Sequence, residues 1–242
     1  MRRLRRLNRL SESNDMVGDI DFWKNEDDRV YEKCLNTLME FVADYDWWDF
    51  VYDRFEEDME EKFGADVDLK NTYFSLDRNR YFDTEISLGE DAVVNVLKHE
   101  RVKTPLLALM ELGVVICYGM VDKKGFGFRL EAEDVDDKLI KKSSKIVKKS
   151  GHYAKAIRQI TNDGYTVRDS GDERDVTEVA INLLIYDDES IIEDAIEDWY
   201  ADVTGDVLND LESEYDGMMS EEYLVDFARA NEYEFDEDGE LA

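Results

Sequence analysis

The sequence predicts an α+β protein in which helices pack against an antiparallel sheet and a long acidic helix fills the C-terminal third. Three observations predict it. Apolar residues recur at helical spacing before Gly64 and after Ser190, β-type runs flank polar turns between them, and the single proline leaves no linker. With 43% hydrophobic and 12% aromatic residues, the 242-residue chain can bury a real core despite its charge. Residues 1–20 read as a basic arm and 21–242 as one domain.

Val30, Cys34, Leu38, Phe41 and Val42 predict a first helix. Trp47, Trp48, Val51, Tyr52, Phe55 and Met59 predict a second, stopped by Gly64. Thr72–Ser75 and Tyr81–Ile86 flank the polar Asp77–Arg80 turn as a hairpin. Ala92–Val102 reads as a short helix, and Pro105 opens another that Gly113 closes. A second hairpin joins Val114–Val121 to Phe126–Glu133 around Lys123-Lys124-Gly125. Ser144–Ile160, the stretch around Asp163-Gly164 and Thr177–Ile185 read as further strands. Ser190 to about Tyr215 and Ser220–Ala230 read as helices, with Ser220 as an N-cap.

The net charge is −31, from 61 acids and 30 cations, and it is segregated. Residues 1–10 carry five arginines and no acid. Residues 26–68 carry 16 acids against four cations, residues 138–158 carry eight cations and no acid, and residues 187–242 carry 22 acids against Arg229. Such self-repulsion is usual in a halophile, an acidic tail or a protein with a basic partner. Halophilic surfaces are poor in lysine, whereas half of these cations are lysine.

The acids are also ordered. Asp194, Asp198, Asp202, Asp206, Asp210 and Glu214 recur every four residues beside the apolar stripe Ile192, Ala195, Ile196, Trp199, Val203, Val207 and Leu211. Asp49, Asp53, Glu57 and Glu61 repeat the device on the second N-terminal helix. Each step rises ~6 Å, close to the roughly 6–7 Å between neighbouring phosphates of a nucleic-acid strand. Eight like-charge pairs at this spacing disfavour the two helices by roughly 2–4 kcal/mol in all. The rows also have a plain explanation, as the solvated faces of amphipathic helices.

Other chemistry is weakly signalled. His99 and His152 are the only histidines and have no metal-type companion, so no metal or cofactor is expected. His99 reads as an exposed helix residue. Asp236, Asp238 and Gly239 match part of a calcium loop, but no glutamate follows at its last position. Gly125-Phe126-Gly127 reads as a hairpin turn, and no nucleophile elbow or phosphate loop is present. Cys34 and Cys117 lack paired spacing and fit a reducing cytoplasm. No run is long and apolar enough for a membrane span. The N-terminus lacks the apolar core of a secretory signal.

Three patches read together resemble a family of uncharacterised proteins found mainly in bacteriophage and prophage genomes, sometimes labelled antitoxin-like. The first is Trp47-Trp48, Val51-Tyr52, Phe55 and Gly64, leading to Tyr73-Phe74-Ser75. The second is Ser150-Gly151-His152-Tyr153. The third runs from Leu211-Glu212, Glu214-Tyr215 and Ser220-Glu221-Glu222 to Ala230-Asn231-Glu232-Tyr233-Glu234-Phe235 with Asp238-Gly239. Two departures stand out. Leu76–Phe82 replaces a Gly-, Trp- and Gln-rich turn, and Lys155 stands where relatives often have a second histidine. The resemblance implies a phage origin and an accessory, host-directed role.

These readings lead to one principal expectation: an acidic, non-enzymatic, cytoplasmic phage protein that inhibits a basic, nucleic-acid-binding host protein by charge mimicry, without touching nucleic acid or membrane itself. The two carboxylate rows are its expected contact residues. Alternatives are an antitoxin-like or assembly factor binding through exposed aromatics such as Trp23, Tyr31 or Tyr233, and a small enzyme using His152. A homo-oligomer is compatible with each.

Overall fold

Short polar side chains start most helices by accepting from the free backbone N–H groups of the first turn. Asp19 Oδ1 takes Phe22 N at 2.7 Å, Asp136 Oδ1 takes Leu139 N at 2.8 Å, and Ser220 Oγ takes Tyr223 N at 3.3 Å. The computed structural model describes residues 16–162 and 173–242. In chain order they form β1 (Gly18–Asp19), α1 (Ile20–Glu26), α2 (Asp28–Ala43), α3 (Asp49–Phe63), β2 (Asp66–Val67), a 3-10 turn (Leu69–Asn71), β3 (Tyr73–Ser75), β4 (Tyr81–Asp83) and β5 (Ile86–Leu88). There follow α4 (Glu90–His99), α5 (Pro105–Met110), β6 (Val115–Asp122), β7 (Gly125–Ala132), α6 (Asp137–Ser150), α7 (His152–Asn162), α8 (Glu173–Met218), α9 (Glu221–Ala230) and β8 (Glu234–Phe235). The fold class is α+β, with antiparallel sheets and a long C-terminal helix.

Packing divides these residues into two compact units. One holds the described residues up to Phe50 together with Asp210–Ala242, and the other holds Val51–Asn209. The sequence reads as one domain over 21–242 because both boundaries fall inside helices, α3 and α8, where no proline or glycine-rich linker marks them. Of the basic arm, residues 1–15 lie outside the described part. Its last residues belong to the first unit, where Gly18–Asp19 pairs with Glu234–Phe235 and Ile20 is buried.

The first unit buries one side each of α1, α2 and α9: Ile20, Trp23, Cys34, Leu38, Leu224 and Ala228 pack with Phe235. Trp23 Nε1 donates to the Phe235 carbonyl at 3.0 Å. The tail folds as a surface turn in which Asp236 Oδ1 accepts from Asp238 N and Glu240 N. Gly239 has φ +78°, and a Cβ there would stand 2.5 Å from Lys33 Cβ and 2.9 Å from Cys34 N. A Gly239→Ala variant is therefore expected to lose about 1–3 kcal/mol, from the left-handed backbone and the clash together. Chemical denaturation checks this, and an unchanged midpoint would show that the tail does not pack on α2.

The second unit is built on the sheet β2-β5-β6-β7, antiparallel throughout, with Ile86 opposite Val121 and Val121 opposite Phe126. Its inner face buries Ile86, Leu88, Val115, Cys117, Val121 and Phe126. The smaller hairpin β3-β4 pairs Phe74 with Phe82. Val93, Val96 and Leu97 of α4 and Leu106 and Leu109 of α5 are also fully buried. Trp199 of α8 meets Phe63 edge to face at 5.1 Å. The Tyr200 hydroxyl donates to the Thr84 carbonyl at 2.8 Å.

Two segments expected as strands are helical. At 144–160, the buried set of α6, Ile140, Ser143, Ser144 and Val147, starts just upstream and has helical spacing, and Gly151 ends α6 in the left-handed region at φ +86°. The α7 face continues with His152, Ala156 and Ile160. At 177–185, Ala180, Ile181 and Leu184 are buried on one helical side together with Val176 just upstream. The Thr177 hydroxyl donates to the Glu173 carbonyl one turn back, which satisfies it inside a helix. The strand expected around Asp163-Gly164 lies outside the described residues.

Candidate partner-binding surface

On α3 the buried residues Val51, Phe55, Met59 and Phe63 recur every four positions, as do the exposed Asp49, Asp53, Glu57 and Glu61. Both rows turn together, so the acids stay opposite the core along the helix. On α8 the geometry differs. A four-residue step turns about 40° around a helix, while the buried set Ile192, Ile196, Trp199, Tyr200, Thr204, Val207 and Leu211 drifts less. The acid row therefore starts opposite the core at Asp194 and winds towards it. Asp194, Asp198, Asp202, Asp206 and Asp210 are exposed, whereas Glu214 is half-buried. Asp210 is engaged with other groups of the chain. Within the second unit the open row is therefore Asp194, Asp198, Asp202 and Asp206, and none of the four makes an ion pair among the described residues.

A row of carboxylates along one helix acts electrostatically: it accepts hydrogen bonds from cations and steers them. Beside the row, the β6–β7 turn and α8 enclose a cleft of about 400 Å³ lined by Met120, Asp122, Lys124, Glu193 and Glu197 among others. Glu197 Oε1 accepts from Phe126 N at 3.1 Å, covering an outward N–H of the sheet's edge strand. The sequence held no signal for this contact except the glycines Gly125 and Gly127, which keep the turn thin.

The alternative sites look different. Trp23 and Tyr31, expected as exposed binding aromatics, are buried in the first unit's core, because α1 and α2 turn them towards Phe235 and α9. Tyr233 is half-buried against Phe41 and Phe227. The aromatics that do face solvent include Tyr45, Phe50, Tyr73, Tyr81 and Tyr186.

His152 is buried, with Nδ1 2.8 Å from Ser150 Oγ and Nε2 3.0 Å from Asp187 Oδ2. Ser150 Oγ also contacts the Val147 carbonyl at 3.1 Å. This serine is the last residue of α6, and His152 is the first of α7. The group clasps the α6–α7 corner to α8. His99 is exposed on α4, as expected. Among the described residues no three His, Cys, Asp or Glu side chains group to hold a metal ion. Burial pushes the Cys34 thiol up to about 11 and Cys117 to about 12, so both stay protonated and inert.

No family model, curated protein or solved structure matches this chain. The surface is therefore read from its own chemistry. No helix among the described residues is long and apolar enough to cross a membrane.

Four paired carboxylates sit below their ordinary range. The cause is the hydrogen bond from Arg229 for Asp21, from Lys148 for Glu173, from Lys155 for Asp187 and from Lys24 for Glu221. A carboxylate lowered in the folded state stabilises it above the unfolded pKa and loses that contribution as pH falls through the folded value. The Tm gap between the wild type and an Asp21→Asn variant is expected to stay constant from pH 7 to about 5 and to close below about 4. A gap that persists at pH 2 would contradict the pairing.

Proposed function

We propose that this chain is an acidic binding protein of phage origin that occupies the nucleic-acid-binding surface of a basic host protein, with Asp194, Asp198, Asp202 and Asp206 as the central contact row. The observation that carries the reading is the row itself: four exposed carboxylates one helical turn apart on a single helix, without a cation paired to them among the described residues. The α3 row of Asp53, Glu57 and Glu61, also exposed, adds a second strip of the same sign and step. A phosphate-binding groove recognises negative charge at this spacing, and several matched contacts compensate for the weakness of each exposed pair. The phage origin rests on the sequence resemblance.

The test is capture from bacterial lysate on the immobilised full chain, followed by competition with duplex DNA. Nucleic-acid-binding proteins are expected on the wild type, released by added DNA. Capture of proteins that DNA does not displace would sink the mimicry and favour recognition through other surfaces.

A further inference from the structure

The eight cations of residues 138–158 fall on α6 and α7, and their placement on α6 gives them a direction. Ile140, Ser143, Ser144 and Val147 are buried, while Lys138, Lys142, Lys145 and Lys149 lie on the opposite side at steps of four, three and four, all exposed. Lys141 and Lys148 flank them. Lys148 pairs with Glu173, but Lys138, Lys141, Lys142, Lys145 and Lys149 make no ion pair among the described residues. In a chain with twice as many acids as cations, that is an unmet charge of the minority sign.

Within its own unit the stripe pairs with no member of the acid row among the described residues. Helix α6 is fixed at the first turn of α8: Ser144 Oγ and Lys148 Nζ both bond Glu173 Oε1, and Arg174 bonds Asp134, Asp137 and the Val135 carbonyl. From Glu173 to Asp194 the helix runs about 30 Å, and the α6–α7 corner, through His152 and Lys155, meets it at Asp187, about 10 Å short of Asp194. Yet the two strips match. The lysines span about 16 Å and the row Asp194–Asp206 about 18 Å, both in steps of one helical turn.

We infer that the lysine stripe of α6 docks on the Asp194–Asp206 row of a second copy of this chain. The row is also the proposed host contact, so a second copy and the host partner compete for it, and the test below is read without any host protein. Each exposed pair is weak, so the contact needs several at once, and the matched spacing supplies four. Near-physiological salt favours it. With a screening length of about 8 Å, the mutual repulsion of two acidic molecules is damped while pairs in contact survive. Made twice about a two-fold axis the contact closes a dimer, and made once per copy it builds a chain.

The test is a charge swap read by light scattering on the full chain at about 150 mM salt. One variant carries Lys138→Glu, Lys142→Glu, Lys145→Glu and Lys149→Glu, and the other carries Asp194→Lys, Asp198→Lys, Asp202→Lys and Asp206→Lys. The wild type is expected above monomer mass, each variant alone at monomer mass, and their equimolar mixture above it again. Recovery in the mixture also shows that both variants are folded, and helical circular dichroism of each alone confirms it if the mixture fails. A monomeric wild type, an assembly that neither variant disturbs, or folded variants that do not reassociate would overturn the inference. So would a labelled oligonucleotide retained by the wild type and lost by the lysine variant, which would make nucleic acid the occupant. The lysine variant keeps the acid row intact, so its capture of basic host proteins is expected to persist whichever way the swap turns out.

Discussion

Replacing Asp194, Asp198, Asp202 and Asp206 together by asparagine is expected to make the protein more stable and a worse binder. The four side chains are exposed and form three like-charge neighbours along α8. Removing those repulsions is worth about 1 kcal/mol, a rise in Tm of roughly 2–4 °C for a chain of this size. Aspartate and asparagine have similar helix propensities, so the substitution changes charge and little else. Affinity for the basic partner is expected to fall at least about tenfold, chiefly through slower association, because a steering field acts on encounter before contact. The opposite signs are what separate a binding row from a merely solvated face. A solvated face would give the gain in Tm with no loss of capture.

The second large effect concerns Trp199, which is fully buried on α8 and packs against Phe63. Truncation to alanine is expected to cost about 3–5 kcal/mol, the range for emptying a buried aromatic site. Its indole N–H finds no acceptor among the described residues. A buried donor without a partner is itself unfavourable by about 1–3 kcal/mol, so Trp199→Phe recovers part of what the smaller ring loses. Trp23 is the contrast, since its N–H is bonded to the Phe235 carbonyl. Trp23→Phe is therefore expected to be the more destabilising of the two phenylalanine variants. Urea unfolding of both settles the order, and equal losses would contradict the assignment of these two donors.

Most elements were legible in the sequence because their signals were local. The hairpins around Asp77–Arg80 and Lys123–Gly125, the helix opened by Pro105 and the Ser220 cap each depend on residues within a few positions of one another. The failures share a cause. In 144–160 and 177–185, β-branched and hydroxyl residues outweighed a helical burial pattern that completes itself only when Ile140 and Val176, just upstream, are included. The two-unit organisation left no trace because its boundaries fall inside helices. Of the candidate surface, the spacing of the acids was readable but their orientation was not. Whether a four-residue row stays in solvent depends on how the core stripe drifts beside it, which separates α3 from α8 and leaves Glu214 half-buried. The lysine stripe was visible as composition, and only the helical geometry of α6 turned it into a face.

The measurement that bears most directly on the central claim is a salt-elution series of host proteins captured on the immobilised wild type and on the four-asparagine variant. Nucleic-acid-binding proteins are expected on the wild type at about 50 mM salt, released by about 300 mM as screening shortens the reach of the row, and largely missing from the variant. The same proteins held equally by both chains through that range would show that the carboxylate row is not the binding surface.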